Sequence, residues 1–197
     1  MSRRGFALLE VVVAVAVAGV VALLVHQGLR TVFEVEDRAA GVRAEAARAA
    51  AVRRQVVAWL GAAVVEGSLE GWDFEGTSGV TAEGAPDAVV SFVTLAPGPF
   101  RPGRARLTLH VAREPAAGTS ALVAERDTAW GAAPEVLVPG VTGLAVRYLH
   151  TVDGERAWTD TWRSSAQLPE AIELRIFGDS IPPVLRLPVF VVPRSGA

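Results

Sequence analysis

Two arginines, Arg3 and Arg4, precede a run from Phe6 to Val25 that is apolar at every position but one, Glu10. Wound as an α-helix, a run of that length is about 30 Å long, the thickness of a bilayer's hydrocarbon core. A chain that begins this way must place the run in lipid, lose it to a protease or bury it. Arg3 and Arg4 would hold the N-terminus on the cytoplasmic side, so that the rest of the chain lies across the membrane. Glu10 is the costly residue. At the centre of a membrane helix a carboxylate costs about 2.5–3.5 kcal/mol on insertion scales, and less near the end where a side chain can reach the interface.

Two plain readings of the run leave something over. A secretory signal peptide has a cleavage site at hand in Ala16-Val17-Ala18. The run nevertheless stays apolar through Val25, where a cleavage region should turn polar, and a carboxylate sits inside its apolar part. A simple signal anchor accounts for the length but leaves Glu10 unexplained.

The residues Gly5-Phe6-Ala7-Leu8-Leu9-Glu10 resemble the processing motif of type IV pilins and type II secretion pseudopilins. That resemblance implies cleavage between Gly5 and Phe6 by a prepilin peptidase, followed by N-methylation of Phe6. Cutting ahead of the apolar helix leaves that helix in the mature protein. It further implies that Glu10 is an assembly charge that pairs with the N-terminal amine of a neighbouring subunit. Two opposite charges in a low-dielectric medium are each costly alone and tolerable together.

Beyond Val25 the spacing predicts that one helix continues from Phe6 to about Val65. Leu29, Val32 and Phe33 fall at i, i+3, i+4, and Val52, Val56, Trp59, Leu60 and Ala63 form a second apolar stripe suited to packing on a sheet. Between them, residues 39–51 are rich in alanine, the best helix former. Glu34 and Arg38 are set for an i,i+4 ion pair, and Gly41 is a possible bend. Gly61 and Gly67 mark the exit, and the Gly-rich, acidic residues 66–87 read as a loop. From there the period becomes two, with strands expected at 87–95, 104–111, 121–127, 135–150 (split by Pro139-Gly140), 171–177 and 184–192, the last an edge strand because of Pro188. Arg113 to Thr119 is expected to be a turn, and Asp153-Gly154 a hairpin turn. The fold class is therefore α+β: a pilin-like long N-terminal helix, its first half transmembrane, packed on an antiparallel β-sheet domain, expected as two sheets. The expected division is a leader at 1–5, a transmembrane half-helix at 6–25, a periplasmic half-helix at 26–65 and a β-rich globular domain at 66–197.

Residues 137–177 resemble the J-type minor pseudopilin of type II secretion, through the strand Val141–Leu149, the pair Trp158 and Trp162, Leu168-Pro169 and the strand from Ala171; Val25-His26-Gln27-Gly28-Leu29-Arg30 adds to the likeness. This implies a minor pseudopilin of the pseudopilus tip in the bacterial inner membrane, single-pass, with a periplasmic C-terminal domain. Its implied partners are other minor pseudopilins (I-, K- and H-type), the major pseudopilin and the inner-membrane assembly platform. A minor pilin of a type IV pilus or competence system shares residues 1–65 in character, and a membrane-tethered binding domain is the reading from another class. Leu29, Phe33, Trp158 and Trp162 are possible interface residues; the tryptophans also suit a core or its rim.

Composition excludes several classes. The formal net charge is −2, so nothing points to nucleic acid. With no cysteine, disulfide frameworks and thiolate metal sites are excluded. The acids Asp73, Glu75, Asp153, Glu155 and Asp160 lack the spacing of a calcium loop. His26, His110 and His150 stand without a catalytic motif beside them. No enzyme activity, metal or cofactor is expected.

Overall fold

A computed structural model of the chain describes residues 3–65, 73–95, 105–114, 118–127 and 133–194, the side chains of 3–8, 31, 32, 35, 127 and 133 excepted. The chain divides into two compact units, Met1–Glu45 and Ala46–Ala197. The first is the leading part of helix α1 (Arg3–Gly61), which runs unbroken through Gly41. Leu9–Arg30 is long and apolar enough to cross a membrane, and its side chains lie exposed.

In the second unit, the end of α1 buries Ala49, Val56, Trp59 and Leu60, with Val52 half-buried against the same core. The helix stops at Gly61, short of the expected Val65, and Ala63 belongs to a two-residue strand, β1 (Ala63–Val64). The reason lies in the carbonyls that a helix end leaves without intrahelical partners. Trp59 O accepts from the Thr94 hydroxyl at 2.8 Å, Gly61 O from the Arg194 amide at 3.1 Å and Ala62 O from the Leu95 amide at 3.0 Å. The sheet domain thus provides the cap.

The strands are β2 (Phe74–Thr77), β3 (Val89–Thr94), β4 (Ala105–Glu114), β5 (Thr119–Asp127), β6 (Ala133–Pro139), β7 (Gly143–Val152), β8 (Glu155–Thr159), β9 (Trp162–Ser164), β10 (Ala171–Phe177) and β11 (Val189–Val191). They form two sheets. The first runs β6-β5-β4-β3-β2-β9, with β1 also on β3; the second runs β11-β10-β7-β8. All pairings between these strands are antiparallel. One hydrophobic core collects the inward residues of both: Val90, Phe92, Leu107, Leu109 and Leu122 from the first, Leu144, Val146, Tyr148, Ile172 and Leu174 from the second. The expected α+β class with two sheets is what the chain adopts.

Several local expectations are corrected. Residues 66–87 contain a strand, β2, whose inward positions are Phe74 and Gly76. Gly76 is required there: a Cβ at that position would lie 1.7 Å from the Tyr148 hydroxyl and 2.3 Å from its Cζ. Residues 184–192 are not one strand. Pro183 opens a short helix, α2 (Pro183–Arg186), with proline's fixed φ suited to a first helical turn, and only Val189–Val191 is β. It is an edge strand, as expected. Strands β4 and β5 extend to Glu114 and from Thr119, which shortens the expected turn. Pro139-Gly140, with Gly140 at φ +74°, carries the chain out of the first sheet and into the second.

Candidate functional site

In the first unit, the helix alone positions the side chains of interest. Glu10 sits one residue into the span Leu9–Arg30 and is exposed, surrounded in sequence by exposed Leu9, Val11, Val12 and Val13. Gly5 and Phe6 lie in the helical backbone; their side chains are outside the described residues. The apolar exposure continues past the span, to Leu29 and Phe33. Glu34 and Arg38 form the anticipated pair at 3.3 Å. It is exposed on both sides and worth at most a few tenths of a kcal/mol.

In the second unit, the structure separates the two tryptophans. Trp162, on β9, packs partly buried against the core, its ring 6.4 Å from Tyr148 and edge-on to His150 at 5.7 Å. Trp158, on β8, stands on the opposite, solvent-facing side of the second sheet, with the Arg147 guanidinium 5.4 Å from its ring centroid. One is an aromatic of the core margin and the other a surface aromatic.

Two features of this unit escaped the sequence reading. Glu173 is only 4% exposed although it points away from the core. Arg175 holds it through Nη2 at 2.6 Å and Nε at 2.8 Å, Arg147 approaches at 3.6 Å, and Arg147 also reaches Asp160 at 3.7 Å. The signal was the i,i+2 pair Glu173 and Arg175 on one strand face, whose partner Arg147 lies across the ladder. The second is Arg53, whose guanidinium donates to Val184 O at 3.3 Å, Leu187 O at 2.9 Å and Pro188 O at 2.9 Å. Those carbonyls belong to the end of α2 and the lead into β11, so one cation fills a need that a C-terminal cap would otherwise meet.

The acids weighed as metal ligands have arginine partners: Asp73 with Arg106 at 3.3 Å, Glu75 with Arg163 at 3.9 Å and Asp160 with Arg147. Asp153 lies in the β7–β8 turn with φ +52°. Among the described residues, no three acids or histidines are grouped to hold a metal. His110 Nε2 lies 3.6 Å from Glu125. A cleft lined by Thr81, Glu83, Arg113, Thr119, Ser120 and Thr142 is open to solvent. Glu83 there has its carboxyl held below the usual range by its own backbone N–H, helped by the Thr81 hydroxyl. Arg113 is occupied by Asp87 at 2.8 Å and Thr142 O at 3.2 Å.

Compared with known proteins, residues 1–25 match the family of the prokaryotic N-terminal methylation motif. This is a type IV pilin-like prepilin signal, and it implies processing by a prepilin peptidase and assembly with pilin-type proteins. No curated protein matches the chain.

Proposed function

We propose that the chain is a minor pseudopilin of the type II secretion pathway, of the J type, which works by assembly and not by catalysis. A prepilin peptidase cuts between Gly5 and Phe6 and methylates the new amine of Phe6. The helix stays in the inner membrane with its N-terminus cytoplasmic, and the sheet domain lies in the periplasm. There it joins I-, K- and H-type minor pseudopilins in the tip from which the pseudopilus grows on its inner-membrane platform.

One observation carries the reading: an exposed carboxylate, Glu10, within a membrane-length apolar helix and inside the matched methylation motif. A lone charge there is unfavourable in lipid. A freed Phe6 amine on a sister chain offers the opposite charge at the same depth and removes that cost. The J-type assignment draws its support from residues 137–177. The strand Gly143–Val152, the pair Trp158 on β8 and Trp162 on β9, and Leu168-Pro169 leading into Ala171–Phe177 follow one another as in that group.

Mass spectrometry of the mature N-terminus in the membrane fraction tests the processing. The expected chain begins at Phe6 and carries one added methyl group; retention of Met1 with an unmodified Phe6 overturns the proposal. Glu10→Leu tests the docking charge. Membrane insertion should be unchanged or improved while co-purification with sister pseudopilins is largely lost, and undiminished co-purification removes the role assigned to Glu10.

A further inference from the structure

The two sheets have few free edges, and they are not alike. The β6 edge is bracketed by Pro134 and Pro139, and a register irregularity at Leu122/Val123 disturbs its pairing with β5. Prolines and bulges are two of the devices by which edge strands resist further pairing, besides charge and shortness. At β11, the α1 end stands close, with Gly61 near Val191 and Gly61 O bonded to the amide of Arg194. Strand β9 has three residues. Strand β8 differs: Glu155–Thr159 has no proline, pairs with β7 without a bulge, and is exposed through Trp158.

The outward groups of β8 follow from its turn. Asp153 and Gly154 both have positive φ, +52° and +84°, the signature of a two-residue type I′ turn. In such a hairpin the flanking pair, Val152 and Glu155, exchanges both backbone hydrogen bonds. Pairing alternates from there, so Glu155, Ala157 and Thr159 bond inward to β7. The N–H and C=O groups of Arg156 and Trp158 point away from the sheet, and no backbone partner meets them among the described residues.

We propose that this edge takes the β8 of a second copy of this chain, antiparallel, about a two-fold axis at Ala157. The register is set by side chains. Centring on Ala157 places Arg156 opposite Trp158 of the partner subunit, and Trp158 opposite the partner's Arg156, on the sheet face where Trp158 already lies beside Arg147. An arginine beside an indole is a favourable cross-strand neighbour, and the exposed Arg156 guanidinium, whose Nε lies 3.2 Å from Glu170, would meet that indole while keeping this ion pair. It places Glu155 opposite Thr159 of the partner subunit, and the small Ala157 against its own copy. A shift of two residues in total, in either direction, sets arginine against arginine or tryptophan against tryptophan. The outward groups of Arg156 and Trp158 are then satisfied mutually, and the second sheets of both copies become one continuous sheet. This pairing stands on β8 alone and does not depend on the pseudopilin reading.

The chain has no cysteine, so single introduced thiols report the register directly. Ala157→Cys would put a thiol opposite its own copy in a non-hydrogen-bonded pair, where Cα atoms lie about 4.5 Å apart, within disulfide reach. With the purified full chain in detergent micelles and diamide as oxidant, Ala157→Cys is expected to give several-fold more disulfide dimer than Val136→Cys on the β6 edge. That control keeps the same helix, so it accounts for any dimer formed through α1. Arg156→Cys mixed with Trp158→Cys should cross-link more than either variant alone. Adding Arg156→Pro to Ala157→Cys removes an outward N–H and should return the dimer to the control level, with near-UV circular dichroism confirming the fold. Equal cross-linking at Ala157 and Val136 overturns the proposal. So does cross-linking of Trp158→Cys alone that matches the mixture.

Discussion

Along α1, Leu9, Val21 and Phe33 each leave more than half of their surface exposed, whereas Val56, Trp59 and Leu60 are buried to within a few per cent. Both stretches are helical and both are apolar, yet only the second meets a protein core. The difference shows that apolar content alone does not say what a helix face is for. Val56, Trp59 and Leu60 form a stripe with the half-exposed Arg53 and Gln55 and the exposed Arg54 beside it, the pattern of a helix that packs on one side. Leu9–Arg30 is apolar all round, the pattern of a helix that needs lipid or other helices on every side. So large a continuous apolar surface demands a partner.

The sharpest way to break the contrast is at the leading edge of the exposed stretch. Gly5→Ala is expected to abolish maturation and leave a longer precursor, seen as a slower band and an intact N-terminus by mass spectrometry, while the sheet domain's near-UV circular dichroism is unchanged. Normal maturation of that variant would remove Gly5 from the processing site.

Next in size is a pair of truncations on the one helix. Trp59→Ala should cost about 3–5 kcal/mol, as large aromatic deletions from a packed core do. Leu24→Ala, on the exposed stretch, should change the sheet domain's unfolding by less than about 0.5 kcal/mol. Urea titration followed by near-UV circular dichroism, with the full chain in detergent, measures both; equal effects would erase the contrast between the stretches.

Within the buried region, Gly76→Ala should cost about 1–3 kcal/mol through overpacking against Tyr148. The cost should largely persist in a Tyr148→Phe background, because the ring carbon Cζ also stands within 2.3 Å of the new methyl group. Full rescue by phenylalanine would mean that the hydroxyl alone sets the spacing.

Tyr148→Phe itself should be the mildest change, from neutral to a gain of about 1 kcal/mol. The hydroxyl is buried without a hydrogen-bond partner among the described residues, so removing it relieves a desolvation cost. Burial also raises the hydroxyl's pKa. Because burial penalises the tyrosinate, stability is untouched by this ionisation below the unfolded-state value of about 10 and falls as pH climbs past it. Tyr148 is the chain's one tyrosine, so tyrosinate absorbance reports this group alone. Ionisation should coincide with alkaline unfolding; a free titration near pH 10 in the folded chain would contradict the burial.

How far the sequence could be read varied with the kind of signal. Ala171–Phe177 stood out because Ile172, Leu174 and Ile176 alternate with Glu173 and Arg175, and the strand has the expected ends. The helix stripe at Val56, Trp59 and Leu60 was visible for the same reason, with a period of 3.6. Phe74–Thr77 was hidden because one of its two core positions is a glycine, so its alternation shows a single apolar residue. Val184-Leu185 read as strand because the turn they adopt is held from afar: Arg53 binds the Val184 carbonyl itself, a contact across 131 residues that no local pattern announces. The N-terminal methylation motif, matched over residues 1–25, was legible because its pattern is local in sequence.

The three carbonyls gathered by Arg53, together with the bond from the Arg194 amide to Gly61 O, mean that the last turns of α1 hold the chain on both sides of the final strand. A load on those turns would pass through these bonds to β11 and, by the β10–β11 ladder, to the second sheet, while the bonds from Thr94 and Leu95 to Trp59 O and Ala62 O would pass it to the first. The C-terminal segment is therefore one of two places where mechanical tension on the last turns of α1 would be transmitted, and the one where it would be released once Arg53 lets go.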